Sequence, residues 1–328
     1  MNSPLYYQPG KDGLRCRLCP HACFLKEGET GICGVRGNSS GRMSLPCYAR
    51  LSGFALDPIE KKPLYHFFPG RNILSAGFYG CNLRCPFCQN YGISREFRRS
   101  ADSPETPPAG LVTQASRGDT PGIAYTYSEP LVHFEYLLEC AGIARSQGLK
   151  NILVSNGFIN ETPARELLPL LDAANIDLKS FSPDFYREEL GGDLKPVLRF
   201  LELASASVHL EVTTLIIPGK NDSLSEITEI SSFLAGLNPD IPLHLSCYRP
   251  MYRYTLRPAT WEDIRPLLDA ARQKLRYVYP GNVRQESNTV CPSCAELLIR
   301  RQGYNVQIKG LRDGRCARCG REIAGVWG

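Results

Sequence analysis

A (β/α) barrel, partial or complete, with a four-cysteine metal-binding segment at each end, is the α/β fold this sequence predicts. Three observations carry that prediction. Strand-like and helix-like segments alternate from about residue 71 to about residue 285; the strand-like ones put polar side chains on one face; and eleven of the fourteen cysteines fall into three clusters, two of them near the ends of the chain. Strand, helix and strand repeated this often implies parallel pairing. An open doubly wound sheet is the competing arrangement, but its strands, covered on both faces, read as continuous apolar runs. These strands alternate instead.

Residues 1 to about 70 form the first zone, rich in Gly, Pro and Cys and without a long periodic run. Cys16, Cys19, Cys23 and Cys33, spaced Cys-x2-Cys-x3-Cys-x9-Cys, can hold zinc or a second [4Fe–4S] cluster, and His21 between two of them can replace a ligand. The stretch "DPIEKKPLYHFFPG" closes the zone with Asp57, Glu60, Lys61, Lys62 and His66, and by itself reads as a solvated, charged connector.

The barrel zone, 71–285, offers strand candidates "NILSAGFYG", "GIAYTYSEP", "KNILVSNGF", "NIDLKSF", "HLEVTTLIIPG" and "PLHLSCYRP". Helical patterns lie between most of them: "LVHFEYLLECAGIARSQG", "ETPARELLPLLDAA", "SLSEITEISSFLAGL" and "TWEDIRPLLDAARQKL". His209, Glu211 and Thr213 share one strand face, as do His244, Ser246 and Tyr248, and Asp177 and Lys179. Polar faces on successive strands predict a lumen lined for a polar ligand, with the site at the C-terminal strand ends. The Ser/Pro/Thr-rich stretch Ser100–Thr120 reads as a mobile connector before the second strand.

From 286 to 328 the chain is short and basic. Cys291-x2-Cys294 and Cys316-x2-Cys319 form two knuckles, the spacing of a zinc ribbon, with Gly314 and Gly320 beside the second. Zinc there would be structural, tying a segment too short to build its own core. Cys47, Cys140 and Cys247 stand outside the clusters and read as small buried hydrophobes.

With 43% hydrophobic and 22% charged residues the composition is that of a soluble globular protein. Neither a secretory leader nor a run of roughly 20 apolar residues is present, so no membrane association and a cytoplasmic location are expected. Clustered cysteines in that compartment bind metal more often than they pair. The formal charge of +5 counts every cysteine as neutral. Two four-thiolate sites holding divalent ions and one three-thiolate cluster would cancel it, so the charge carries no argument for a nucleic-acid partner.

The central cluster is "GCNLRCPFCQN", with Cys81, Cys85 and Cys88 following the strand that ends at Gly80. Structural zinc would need a fourth ligand from elsewhere. A [4Fe–4S] cluster on three thiolates leaves one iron open for a chelating small molecule.

These cysteines, with Phe87 before the last, resemble the signature of the radical S-adenosylmethionine (SAM) superfamily. The second strand ends "YSEP" where that family carries Gly-Gly-Glu-Pro, the third ends "SNGF" where relatives have Thr-Asn-Gly, and the fourth reads "DLK". They are similar to the pyruvate formate-lyase activating enzyme branch. "CRLCPHAC", "GICGVR", "DPIEKKPLYHFFPG", "IIPGKND" and the C-terminal cysteine pairs extend the likeness to the radical SAM component of the AmmeMemoRadiSam system.

The resemblance implies a [4Fe–4S] cluster on Cys81, Cys85 and Cys88 that holds SAM by its amino and carboxylate groups. One electron then cleaves SAM reductively to a 5′-deoxyadenosyl radical, which abstracts hydrogen from the substrate. It further implies that Ser128 and Glu129 meet the methionine ammonium, although Ser128 replaces the family's Gly, and that Asp177 and Lys179 contact SAM. Ser155 and Asn156 occupy the Thr-Asn-Gly position, and His244 matches a histidine near the ribose. A flavodoxin- or ferredoxin-type reductant is implied, as is a partner: a protein bearing a reactive glycine, or the other AmmeMemoRadiSam proteins. The 57–70 stretch would help close the barrel or contact substrate.

Plainer readings exist for each residue. Ser128 can be an N-cap and Glu129 a first-turn acid before Pro130; Asp177 and Lys179 can be a lumen ion pair, and Asn156-Gly157 a turn. Their order, each at the end of a successive strand, favours a cofactor site. Other substrates remain open, namely a small molecule, a peptide or a tRNA. A non-catalytic zinc protein that binds RNA or acts as a scaffold is the alternative from another class, but the core lacks a basic stripe and interleaved aromatics.

Overall fold

The computed structural model describes residues 4–97 and 103–328. An eight-stranded sheet organises them: β1 (Gly53–Pro58), β2 (Asn72–Gly77), β3 (Gly122–Thr126), β4 (Lys150–Ser155), β5 (Ala173–Asp177), β6 (His209–Ile216), β7 (Leu243–Cys247) and β8 (Val278–Gly281), in that spatial order. β2 to β8 run parallel and β1 antiparallel to β2. The crossovers carry helices α1 (Pro108–Arg117), α2 (Phe134–Ser146), α3 (Glu161–Leu167), α4 (Leu194–Ser205), α5 (Leu224–Leu237) and α6 (Trp261–Arg272). β1 and β8 do not pair with each other, so the barrel is partial. Its first strand comes from the N-terminal side of the boundary drawn near residue 70.

Helix α1 corrects the connector reading of Ser100–Thr120, of which residues 100–102 lie outside the described residues. Pro108 supplies a first-turn φ, and Leu111, Val112 and Ala115 bury one face. A second correction concerns the helix read over Glu161–Ala174. It stops at Leu167, followed by a 3₁₀ turn, because Leu171 is extended and Ala173 and Ala174 enter β5. Small residues without branching carried no strand signal there.

The polar strand face is real, and it faces the segment 57–68. Lys62 Nζ donates to Tyr127 Oη, just beyond β3, at 3.0 Å; Asn175 of β5 donates to the Pro63 carbonyl at 2.8 Å; Glu211 of β6 accepts from the backbone of Tyr65 and His66. His244 of β7 stands edge-on to Tyr65, and Tyr279 of β8 bonds His66. Ile59, Leu64 and Phe67 pack on Ile73, Ala124, Ile152 and Ala173 from four adjacent strands. Contacts from strand after strand to one segment mean that the sheet curls around it. "DPIEKKPLYHFFPG" is therefore a plug in the lumen, not a solvated connector.

The C-terminal segment holds the plug from its other side. Val326 exchanges backbone hydrogen bonds with His66 and Phe68, and buried Arg301 lies over the Tyr65 ring while donating to Thr289. Cys47, Cys140 and Cys247 are buried.

The plug's histidine makes acid a destabilising condition. His66 Nδ1 donates to the Ala324 carbonyl and Nε2 accepts from Tyr279 Oη, which requires the neutral ring. Burial pulls its pKa down to about 3, and burial likewise lowers His133, whose Nε2 donates to the Tyr79 carbonyl, to about 4. Below about 6.5 the unfolded chain binds protons that the folded one refuses, so stability falls as pH drops toward those values. The two histidines alone would lower the stability by roughly 4 kcal/mol between pH 7 and pH 5, and Glu129, a buried carboxyl whose pKa is raised to about 7, offsets roughly 2 of that, so the urea midpoint is expected to fall by an amount worth roughly 2 kcal/mol; a midpoint that rises would contradict the buried neutral histidines.

Candidate functional site

Three loops meet at the C-terminal ends of β2, β3 and β4. The first leaves β2 through Gly80, whose φ is +76° and where a Cβ would lie 2.3 Å from the Cys33 carbonyl oxygen. Only glycine fits both the conformation and the space. The loop then presents Cys81, Cys85 and Cys88. Cys81 Sγ accepts from the Leu83 amide at 3.4 Å, and Cys88 Sγ lies 3.3 Å from Ser94 Oγ. Burial raises the pKa of Cys81, with Glu129 adding to it, and pushes Cys85 up to about 11 against the pull of Lys179. Burial thus favours the neutral thiol at Cys81 and Cys85, and a bound cationic centre would favour the thiolate.

After β3, Tyr127 and Ser128 both take left-handed φ, +47° and +63°. Ser128 thus stands in the conformation a glycine prefers, and its hydroxyl donates to the Gly80 carbonyl, joining the β3 end to the cysteine loop. Glu129, rather than Ser128, is the N-cap of the 3₁₀ turn Pro130–His133.

Glu129 reaches well beyond that cap. Its carboxylate accepts from the Leu131 amide at 3.0 Å, from Ser155 Oγ at 2.7 Å and from the Asn156 amide at 2.9 Å. Burial nonetheless raises its pKa to about 7. A carboxylate has about four acceptor positions, so three donors leave one for a cationic ligand.

Asn156 begins the third loop, after β4. Its amide nitrogen Nδ2 donates to Asn82 Oδ1 at 3.0 Å and lies 3.6 Å from Cys81 Sγ; its Oδ1 accepts from the Phe158 amide. The turn reading of Asn156 and its role at the cysteine loop are both satisfied by one side chain. Asn82 went unread in the sequence. It is 1% exposed and donates to the Phe158 carbonyl, and its only signal was a short polar residue between two cysteines.

Asp177 and Lys179, at the end of β5, form an ion pair at 2.9 Å. Burial alone would lower the Lys179 pKa, but Asp177 and the Cys85 sulfur together raise it, so the ammonium is charged and close to the cysteine loop. Ser128, Glu129, Ser155, Asn156, Asp177 and Lys179 therefore gather around Cys81, Cys85 and Cys88. His244 does not join them. It pairs with Thr213, level with Asp177 in the sheet register, yet its Nε2 is 2.6 Å from Glu211 in the plug network.

The other two cysteine groups differ from each other. The Sγ atoms of Cys291, Cys294, Cys316 and Cys319 all lie within 4.8 Å of one another, as for a single tetrahedral ion. Against the burial that would raise it, the amides of Ser293 and Cys294 pull Cys291 down to about 7. Cys16, Cys19, Cys23 and Cys33 instead surround a small apolar-walled cavity. His21, between two of them, has its Nε2 2.7 Å from the Asn82 carbonyl and its ring against Phe158.

Comparison with known proteins bears on this geometry. Residues 77–234 match the radical SAM superfamily. The uncharacterized protein MJ0808 of Methanocaldococcus jannaschii is 39% identical over 98% of this chain and 99% of its own. The pyruvate formate-lyase-activating enzyme of Streptococcus mutans is 19% identical over 57% of this chain and 76% of its own. Among solved structures, a radical SAM methyltransferase from Sphaerobacter thermophilus superposes with a TM-score of 0.52 at 15% identity, covering 67% of this chain and 68% of that one. Among the described residues, no helix is long and apolar enough to cross a membrane.

Proposed function

Because this chain belongs to the radical SAM superfamily, we propose that it cleaves SAM reductively at Cys81, Cys85 and Cys88 and abstracts hydrogen from a glycine of a protein partner. One observation carries the cofactor half of this reading. The side chains of Glu129 and Asn156 tie the ends of β3 and β4 to the Cys81 sulfur, so a ligand near that sulfur meets a buried carboxylate. The donor set fits the family's group: three thiols, Cys85 buried and Cys81 and Cys88 half-buried, with an amide N–H aimed at one of them and a fourth acceptor position free on Glu129.

When bound, a [4Fe–4S] cluster with SAM supplies one-electron cleavage to a carbon radical that takes a hydrogen atom. The protein positions and protects. Glu129 would accept from the methionine amino group, while Ser155 and the Asn156 amide hold Glu129 in place. The Lys179 ammonium, paired with Asp177, lies close enough to the Cys85 sulfur to offset thiolate charge there. The plug closes the lumen from below and keeps water from the reacting atoms.

The glycine reading rests on the activating-enzyme motifs and on relatives of that name. The likeness to the AmmeMemoRadiSam component rests mainly on motifs toward both ends of the chain, outside the matched region, with "IIPGKND" inside it. A structural zinc at Cys291, Cys294, Cys316 and Cys319 is the metal reading that their 4.8 Å grouping supports. Incubation of the anaerobically reconstituted protein with SAM and a one-electron reductant is expected to yield 5′-deoxyadenosine; none formed would end the proposal. Deuterium transfer from a partner labelled at glycine tests the substrate.

Glu129 supplies a separate check. Its pKa of about 7 means the carboxyl must lose a proton to accept from SAM's amino group as a carboxylate, so SAM affinity is expected to weaken as pH falls below about 7. Glu129→Gln should weaken binding by roughly 1.5–3 kcal/mol, the range for a charged hydrogen bond, and remove that pH dependence. Equilibrium dialysis at pH 6 and pH 8 reads both effects.

A further inference from the structure

We infer that Cys16, Cys19, Cys23 and Cys33 hold a second [4Fe–4S] cluster, and that it stores the electron used at Cys81, Cys85 and Cys88; the second half rests on the function proposed above. The donor set is the first ground. A single zinc draws four thiolates to about 3.8 Å from one another, given Zn–S bonds of about 2.3 Å in a tetrahedron. The C-terminal quartet has that spacing, with Cys291–Cys319 and Cys294–Cys316 both at 3.6 Å. Among the described residues, the C-terminal quartet is where ligating atoms crowd within 4.8 Å, whereas the N-terminal quartet stands apart around its cavity.

Arg36 is the second ground. It lines the same cavity with a side chain 2% exposed; its Nη1 is held by Glu135 and its Nη2 by the Leu5 carbonyl, while its Nε–H has no hydrogen-bond partner. A buried donor left unpaired costs about 1–3 kcal/mol. An anionic centre with sulfur acceptors removes that cost, and four thiolates on a [4Fe–4S]²⁺ core carry two negative charges beside the guanidinium.

Position is the third ground. The Cys33 carbonyl is the atom that forbids a Cβ at Gly80, one residue before Cys81. Arg95 Nη1 donates to the carbonyls of Cys81, at 2.9 Å, and Ile32, at 3.4 Å, and His21 reaches the Asn82 carbonyl. The two cysteine loops are in contact. Cys19 and Cys23 are half-buried and Cys33 is buried, so the quartet leads from the surface to the inner site. Four thiolates occupy all four irons and leave none for a substrate, which excludes substrate binding there and fits an electron-transfer group. One electron from an iron–sulfur or flavin protein reduces [4Fe–4S]²⁺ to [4Fe–4S]⁺ with no bond made or broken, and its onward passage restores the oxidised state.

The test uses the full chain with Cys81, Cys85 and Cys88 all replaced by alanine and reconstituted anaerobically with iron and sulfide. About four irons and four sulfides are expected to remain, with a visible absorption that bleaches on uptake of about one electron per chain. A colourless variant carrying two zincs would overturn the inference. Should the triple variant precipitate, wild-type metal counts decide: about eight irons support it, whereas about four irons with two zincs refute it. Wild type and triple variant that each hold about four irons would uphold the N-terminal cluster and defeat the assignment of the inner cysteines.

Discussion

Replacing Cys85 with alanine is expected to abolish formation of 5′-deoxyadenosine, whereas Cys294→Ala is expected to leave the cleavage chemistry in place and weaken the fold. Cys85 is buried in the loop that Lys179 and Asp177 flank, and it is one of only three thiols available to the inner site. With two left, a cube has two unprotected irons and no fixed orientation for SAM. Cys294 belongs to a closed quartet at the far side of the plug. Its loss removes one of four ligands from a site of a kind whose metal contributes about 10–16 kcal/mol to folding, so a drop of several kcal/mol is expected. Product chromatography and thermal melts on both variants separate the two outcomes. Undiminished cleavage by the Cys85 variant would refute the assignment.

Glu211→Ala is expected to be the most destabilising single change in the lumen. The carboxylate is fully buried and accepts from four donors: the amides of Tyr65 (3.0 Å) and His66 (2.7 Å), and Nε2 of His209 (3.0 Å) and His244 (2.6 Å). Burial would raise its pKa, but the two histidines hold it well below the carboxylate range, so the group is ionised. Its full acceptor capacity is used. Alanine would leave all four donors buried and unpaired, a loss of roughly 3–5 kcal/mol by analogy with a broken buried ion pair. Denaturant unfolding measures this; a loss under about 1 kcal/mol would show that water replaces the carboxylate. Because the plug hangs on Glu211, faster hydrogen exchange in 57–68 should accompany the loss.

The inner site was largely legible in the sequence because its residues lie at consecutive strand ends. Glu129, Asn156 and Asp177 each follow a recognisable strand, and a parallel sheet necessarily brings such ends to one edge. Asn82 was not legible, since its role consists of bonds to Asn156 and Phe158, over 70 residues away. Helix α1 was masked by its Ser, Pro and Thr content. Its three buried apolar residues outweigh composition only once α2 and β3 are there to receive them.

Local chemistry along the chain was enough to determine the alternation of strands and helices, the polar lumen face, and the three cysteine groups with their differing spacings. Periodicity and ligand spacing are properties of neighbours in sequence. Tertiary structure alone decided the rest: that the charged stretch 57–68 fills the lumen, that His244 serves Glu211 and not the cysteine loop, and that Cys33 abuts Gly80. Each of these depends on which distant groups satisfy a buried donor or fill a space, and burial is a property of the assembled fold.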